Sequence, residues 1–277
     1  MHQSCASGIA MLLLVSFGMA CTLPRLKNRL TWQIMLEIDA PQSDKEAVTK
    51  RTVTVIEQRL DAVDIYDFKV VAQGSPPNGR ILVSLPEVPD RNRLVQLITA
   101  VGQLELTAIV SPPSPSPVQT YNTKEDAVTS FGGKVPEDRS VLPYDERNES
   151  ITGGQNSEAS SQSTKWVVIE RPAIVDGSEL RNAVASRASG GDYLIAFSLK
   201  PEGAEKLGAW TGAHINRYLG VALNGEVKSI AFIRSKIYDQ GEISGRFTKQ
   251  AAEDLALILR SGALPAPVKI IEQGANK

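Results

Sequence analysis

His214 is the one histidine beyond residue 2, and both cysteines, Cys5 and Cys21, sit at the extreme N-terminus. A zinc site needs three or four convergent Cys, His or carboxylate ligands, and a nucleophilic triad needs a histidine set between a nucleophile and an orienting acid. The body of this chain has the complement for neither, nor for a CxxC centre or a disulfide. Glu202 and Glu205 are the nearest thing to paired carboxylates. They open a helix, where acids suit the positive end of the dipole and stay solvated, whereas a catalytic carboxylate needs burial to shift it. Gly132-Gly133, Gly153-Gly154 and Gly190-Gly191 lack the GxxxxGK[ST] or GxGxxG setting of a phosphate loop and read as turns. His214 follows a helix and reads as a surface or capping residue. The expectation is no catalytic, cofactor-binding or metal-binding residue, and no enzyme.

The elements that would position other functional groups need a core, and 277 residues at 42% hydrophobic supply one or two. The formal net charge of −1 gives none of the basic excess of a nucleic-acid-binding domain. Nucleic acid is therefore not expected as a partner.

Residues 9–20, IAMLLLVSFGMA, form an apolar run of signal-peptide length, short for a bilayer span. Gly18-Met19-Ala20 places small residues at −3 and −1 before Cys21. Residues 1–20 thus read as a signal peptide or lipoprotein signal, with Cys21 the candidate lipid anchor. Cleaved secretion and an uncleaved anchor stay open beside it. Gly18 stands where a lipoprotein signal favours a Leu-like residue. The first eight residues carry no Lys or Arg, while Arg25, Lys27 and Arg29 follow the run, against the positive-inside tendency.

Beyond it, Trp32, Ile34, Leu36 and Ile38 alternate with polar neighbours as in a strand. Ser43-Asp44-Lys45-Glu46 has the form of a capping box, and Val48, Thr52, Ile56, Leu60 and Val63 share a helical face behind it. Phe68–Gln73 and Arg80–Leu85 read as strands joined by GSPPNG. Asp90 caps a second helix with Leu94, Leu97, Ile98 and Val101 inward, and Leu104–Val110 reads as a fourth strand. The order β-α-β-β-α-β is the ferredoxin-like pattern. Residues 111–164, from PPSPSP to SEASSQSTK, lack long apolar runs and read as a low-complexity linker or poorly ordered insertion.

Structure resumes at Trp166–Ile169. A short helix is expected over Ser178–Ala188, with Leu180, Ala183 and Val184 inward. A strand follows at Tyr193–Leu199, then a helix opened by Pro201. Asn224-Gly225 between apolar runs marks a hairpin. Ile243–Phe247 is extended. Thr248 caps a last helix with Ala252, Leu255, Ala256 and Leu259 on one face; Gly262 ends it, and Val268–Glu272 is a strand. The second half is also α+β.

The segments GVALNGEVKSIAFI and IYDQGEISGRFTKQAAEDLALILRSGALPAPVKIIEQ resemble the end of the first periplasmic domain of the SecD and SecDF protein-export subunits, most specifically in SGALPAPVKIIEQ. VDGSELRNAVA and YLIAFSLKPEGAEKLGAWT add to the resemblance, which covers about residues 30–273 and is weakest in 111–164. It implies an α+β chain with a ferredoxin-like base over residues 30–110, closed by a returning strand in 263–273. An inserted α+β head would occupy residues 165–262, and Pro265 and Pro267 would form the hinge between them. The family's membrane-embedded, proton-conducting carboxylates have no counterpart here. Its DLxGG-type motif is replaced by RLKNRLTW, so proton-driven pumping by this chain is not expected.

The resemblance further implies a non-catalytic module on the periplasmic side of the bacterial inner membrane, held there by its N-terminal anchor. Its partners would be unfolded or translocating polypeptide and membrane translocon subunits, with no cofactor. The alternative is an envelope adaptor or structural lipoprotein that binds one folded partner. Trp210, Leu219, Phe232 and Ile233 are the candidate polypeptide-binding residues of the head; the competing reading is that they are core. Pairing of a client strand with a sheet edge is a second binding mode.

Overall fold

The computed structural model describes residues 30–41, 43–74, 78–113, 115–145 and 164–275. The alternation seen in the sequence becomes β1 (Trp32–Ile38), with Trp32, Ile34, Leu36 and Ile38 buried. α1 (Lys45–Asp61) buries a stripe of Thr49, Thr52, Ile56, Arg59 and Leu60. The expected capping box does not form. Asp44 takes the N-cap position with helical torsions, φ −109° and ψ −5°, and makes no side-chain cap bond. An N-cap carboxylate reaches the N2 or N3 amide from extended backbone. β2 (Lys69–Ala72) and β3 (Arg80–Leu85) form the expected antiparallel hairpin. In α2 (Arg91–Thr99), Asp90 accepts a hydrogen bond from the Arg93 amide, and Leu94, Leu97 and Ile98 are buried.

The chain then enters β4 (Leu104–Ala108), α3 (Lys124–Thr129), β5 (Arg139–Asp145), β6 (Thr164–Glu170) and β7 (Val175–Asp176). Two of these correct the expected linker over 111–164. Thr123 and Asp126 cap α3 reciprocally, and β5 pairs with β6 along its whole length. Few apolar side chains are needed, because α3 and β5 each bury one: Ala127 and Tyr144. Residues 146–163 lie outside the described residues, and Thr164 and Lys165, the last two of SEASSQSTK, already belong to β6.

β8 (Leu180–Arg187) is a strand where a helix was expected. Its register against β9 (Tyr193–Leu199) shifts between Leu180 and Asn182. The bulge buries Leu180 and Ala183, three apart, which imitates helical spacing. α4 (Pro201–Ala213), β10 (Tyr218–Leu223) and β11 (Glu226–Phe232) follow. Asn224 at φ 51° and Gly225 at φ 79° make the tight turn between the last two. β12 (Gln240–Phe247) leads to α5 (Lys249–Arg260), capped by Thr248 and ended at Gly262, φ 83°. β13 (Val268–Ala275) is the last strand among the described residues.

Among the described residues three sheets result, ordered β13-β1-β3-β2, β6-β5-β11-β10-β4-β7 and β12-β9-β8. β4 is therefore not the fourth strand of the first sheet; β13 takes that place beside β1. All five residues of β4 are buried, so it suits the interior of a sheet covered on both faces. β13, exposed over most of its length, suits an edge. The first sheet packs Ile34, Leu36, Ile81 and Val83 against Ile56, Leu60, Leu94 and Ile98 of α1 and α2. The main core joins the six-stranded sheet, through Leu106, Leu219 and Val221, to Ile195, Phe197, Leu207 and Leu259. A smaller core of Ile109, Tyr144, Val167, Ile169, Ala222 and Val227 fills the other face of the six-stranded sheet. Among the described residues no helix is long and apolar enough to cross a membrane.

Candidate functional site

The four apolar residues named from the sequence do not form one surface. Leu219 and Ile233 are both buried in the main core, 4% and 0% exposed, so they hold the fold together and reach no ligand. Trp210 is half-buried on α4, and its ring stacks on His214 with centroids 4.3 Å apart. His214 Nδ1 lies 2.7 Å from the Trp210 carbonyl oxygen. A carbonyl only accepts, so Nδ1 donates and closes the helix end. Phe232 alone lines an open cleft.

That cleft follows from the alternation of β10. Leu219, Val221 and Leu223 point into the main core, which leaves Tyr218 and Ala222 on the opposite face. There Pro117, Val118, Tyr144, Tyr218, Ile230 and Phe232 line a cavity of about 370 Å³. The Tyr218 and Phe232 rings lie 5.8 Å apart, tilted by 51°. Tyr218 Oη donates to the Ser116 carbonyl at 2.6 Å, and the Gln119 amide donates to Ser111 Oγ at 2.9 Å. These bonds pull the proline-rich residues 111–113 and 115–119 across the face as the cleft's second wall. Proline fixes φ and removes amide donors, so this wall is stiff and cannot itself add a strand.

One rim of the cleft is backbone. β5 runs parallel to β11 and meets it only at Val227 with Tyr144. Beyond that point, on the side away from β10, Ser229–Phe232 have no paired strand among the described residues. The site therefore offers aromatic and aliphatic side chains beside a strip of β-edge. Chemically it can desolvate apolar side chains and hydrogen-bond an extended main chain. Among the described residues no group of three or more His, Cys, Asp or Glu could hold a metal ion.

A second constellation, which the sequence reading missed, ties the sheets together. Arg59 is fully buried. Its Nη1 donates to the carbonyls of Leu97 (2.9 Å) and Ala100 (2.5 Å), its Nη2 to the Gly262 carbonyl (3.0 Å), and its Nε to Ser261 Oγ (3.2 Å). Burial pushes the guanidinium down to about 10. The ends of α2 and α5, each the negative end of a helix dipole, supply the balancing partial charge. Arg59 stood on the apolar stripe, at the position between Ile56 and Val63; a charged residue there was the available signal.

Nearby, Arg93 Nη2 and Nε donate to the Asp254 carboxylate at 2.6 and 3.1 Å, a two-pronged pair that raises the Arg93 pKa. Pro265 and Pro267 are exposed. Their segment is fastened at both ends: Leu264 N donates to Val101 O at 2.8 Å, and Asp39 N donates to Pro267 O at 2.9 Å. Cys21 lies outside the described residues.

Comparison with known proteins places this geometry. Residues 150–266 match the family described as SecDF, P1 head subdomain, and residues 49–110 match that described as protein translocase subunit SecDF, P1 domain, N-terminal. Similar curated proteins include the protein translocase subunit SecD of Aquifex aeolicus (strain VF5), 31% identical, which covers 83% of this chain and 40% of its own. That of Koribacter versatilis (strain Ellin345) is 33% identical, with 83% and 39% covered. This chain thus spans about two fifths of the length of those relatives. Among solved structures, SecDF in its super-membrane-facing form superposes with a TM-score of 0.64 at 25% identity, over 91% of this chain and 32% of that one. A second structure, described as a membrane component SecDF that enhances protein export, gives 0.60 at 25% identity, over 87% and 98%.

Proposed function

Because this chain carries a SecD-type P1 domain, matched across residues 49–110 and 150–266, we propose that it serves protein export by holding extended polypeptide on the periplasmic side of the inner membrane. The four-stranded sheet acts as the base, and the two other sheets form the head. Grip replaces catalysis, since the cleft offers apolar and main-chain contacts and no reactive group. The observation that carries the proposal is the cleft at Tyr218 and Phe232, with its stiff proline wall and the short run of β11 that, among the described residues, has no strand paired on one side. An extended client would add backbone bonds at Ile230–Phe232 and set alternate side chains against the two rings. Sheet-edge pairing, the second mode expected from the sequence, here coincides with the apolar site. An N-terminal anchor, with lipid on Cys21 as its simplest form, would keep this grip near the translocon; intact mass of the mature chain reads that modification directly.

The test is client binding by purified protein. An unfolded substrate should be protected from aggregation by the wild type, and Phe232→Ala should weaken that protection at least severalfold with circular dichroism unchanged. Leu219→Ala, a core change, should lower stability first. Equal protection by wild type and Phe232→Ala would remove the cleft from the mechanism. A photo-crosslinker at residue 232 that captures one stoichiometric folded protein would favour the adaptor reading instead.

A further inference from the structure

β13 forms the outer edge of the four-stranded sheet. β1 pairs with one side of it, and among the described residues no strand pairs with the other. Long free edges invite pairing with another chain, and proteins commonly blunt them with like charges, bulges or a covering segment. This edge is eight residues long and exposed from Lys269 onward. Ile270 and Ile271 are 40% and 45% exposed. In its first half, Lys269-Ile270-Ile271-Glu272 present opposite charges at mirrored positions around two isoleucines.

We propose that β13 pairs antiparallel with β13 of a second copy of this chain, joining two four-stranded sheets into one of eight strands. An antiparallel self-pairing is two-fold symmetric, so the same contacts occur twice. In the register that sets Ile270 against Ile271 of the second copy, Lys269 meets Glu272 of the second copy, and Glu272 meets its Lys269. Charge complementarity therefore names the occupant: the strand's own mirror image.

The pleat permits this register because of an irregularity. Lys269 lies opposite Glu37 of β1 and Glu272 opposite Met35, while Leu36 faces Ile270. Ile271 is thus the extra residue of a bulge. In a regular strand residues three apart face opposite sides. The bulge brings Lys269 and Glu272 to one face, the face shared by Met35 and Glu37. Val268 and Gln273, opposite Ile38 and Ile34, share the other face in the same way. The main chain agrees: Asp39 N donates to Pro267 O. In an antiparallel ladder that bond turns the polar groups of Val268 and Ile270 away from β1, toward a strand on the free side. At present Lys269 makes only a 3.5 Å pair with Asp39, both side chains about seven-tenths exposed. Such a solvated pair holds it weakly.

Sedimentation equilibrium of the full chain tests the proposal with four proteins: wild type, Lys269→Glu, Glu272→Lys and the double exchange. The wild type should dimerise. Each single reversal sets like charges opposite at two places and should weaken association about tenfold or more. Equimolar Lys269→Glu and Glu272→Lys should recover dimers, since every charged pair in the mixed species is again opposite. The double exchange should recover them alone. Both positions are exposed, and circular dichroism checks that each variant is folded. A wild type that stays monomeric across the concentration range would overturn the proposal. So would dimers that the single reversals leave unchanged, or folded single variants that do not recover on mixing.

Discussion

The guanidinium of Arg59 on α1 donates to the carbonyl of Gly262, just past α5, at 3.0 Å. The same side chain also holds Ala100, where the chain leaves the four-stranded sheet. One buried cation therefore clasps the outgoing and the returning strands of the neck between the sheets.

Replacing it should be costly. Arg59→Met keeps much of the volume but leaves the carbonyls of Leu97, Ala100 and Gly262 buried without their donor. Charged hydrogen bonds of this kind contribute about 1.5–3 kcal/mol each, and not additively. A loss of roughly 3–5 kcal/mol is expected in denaturant titration, with hydrogen exchange rising first at Ala100–Gln103 and Ser261–Leu264.

Gly102 should tolerate no side chain. It sits at φ +74°, and an added Cβ would lie 2.6 Å from Ile258 Cγ2 and 3.2 Å from Arg59 Nη2. Gly102→Ala therefore combines left-handed strain with a clash at the clasp, together about 2 kcal/mol or more. If its cost does not add to that of Arg59→Met in the double variant, the two share one structure, as adjacent sites do.

The Arg93–Asp254 pair should be weaker and salt-dependent. Its side chains are 37% and 21% exposed, so solvent screens it despite the two-pronged geometry. A double-mutant cycle with Arg93→Ala and Asp254→Ala should give a coupling of roughly 1 kcal/mol at low ionic strength. That coupling should shrink in 1 M salt.

Asp176 sets a pH dependence. Its carboxylate accepts from the Ser178 amide at 2.7 Å, and hydrogen bonding to Ser178 holds its pKa below the usual 3.8. A carboxyl depressed in the folded state stabilises above its unfolded pKa, and that contribution fades as pH falls through the lower, folded value. Asp176→Ala should cost about 1 kcal/mol near neutrality. The gap between wild type and variant should narrow as pH drops below 3.8. A gap that stays constant down to pH 2 would assign the bond no role in acid stability.

Local signals in the sequence carried far into the structure, and long-range ones did not. Thr248, Asp90, Pro201 and Asn224-Gly225 set their helix ends and turn as expected, because each acts within four residues of itself. β4 and β8 were misplaced because their meaning depends on partners elsewhere. The uninterrupted burial of β4 requires a layer on both faces, and the bulge in β8 mimics a helix. The cleft was half legible. Phe232 stood out as an aromatic near a hairpin, whereas Leu219 and Ile233 differ from it only in which side of the sheet they face. Its proline wall, in 111–119, looked like linker because its anchors are single hydrogen bonds from Tyr218 and Gln119.

The strand that completes the four-stranded sheet comes from far along the sequence: Trp32 is paired with Ala275. A growing chain therefore exposes the open flank of β1 throughout synthesis of everything between them. The other two sheets, built from neighbours such as β8–β9 and β10–β11, can assemble while that flank waits. Loop closure over so long a span is an entropic step whose cost grows slowly with length. It is lowered further once the intervening residues are folded and their ends already lie together at Ala100 and Gly262. The other two sheets can thus serve as an internal template for the four-stranded one, whose closing strand returns past the carbonyls of Ala100 and Gly262 that Arg59 draws together.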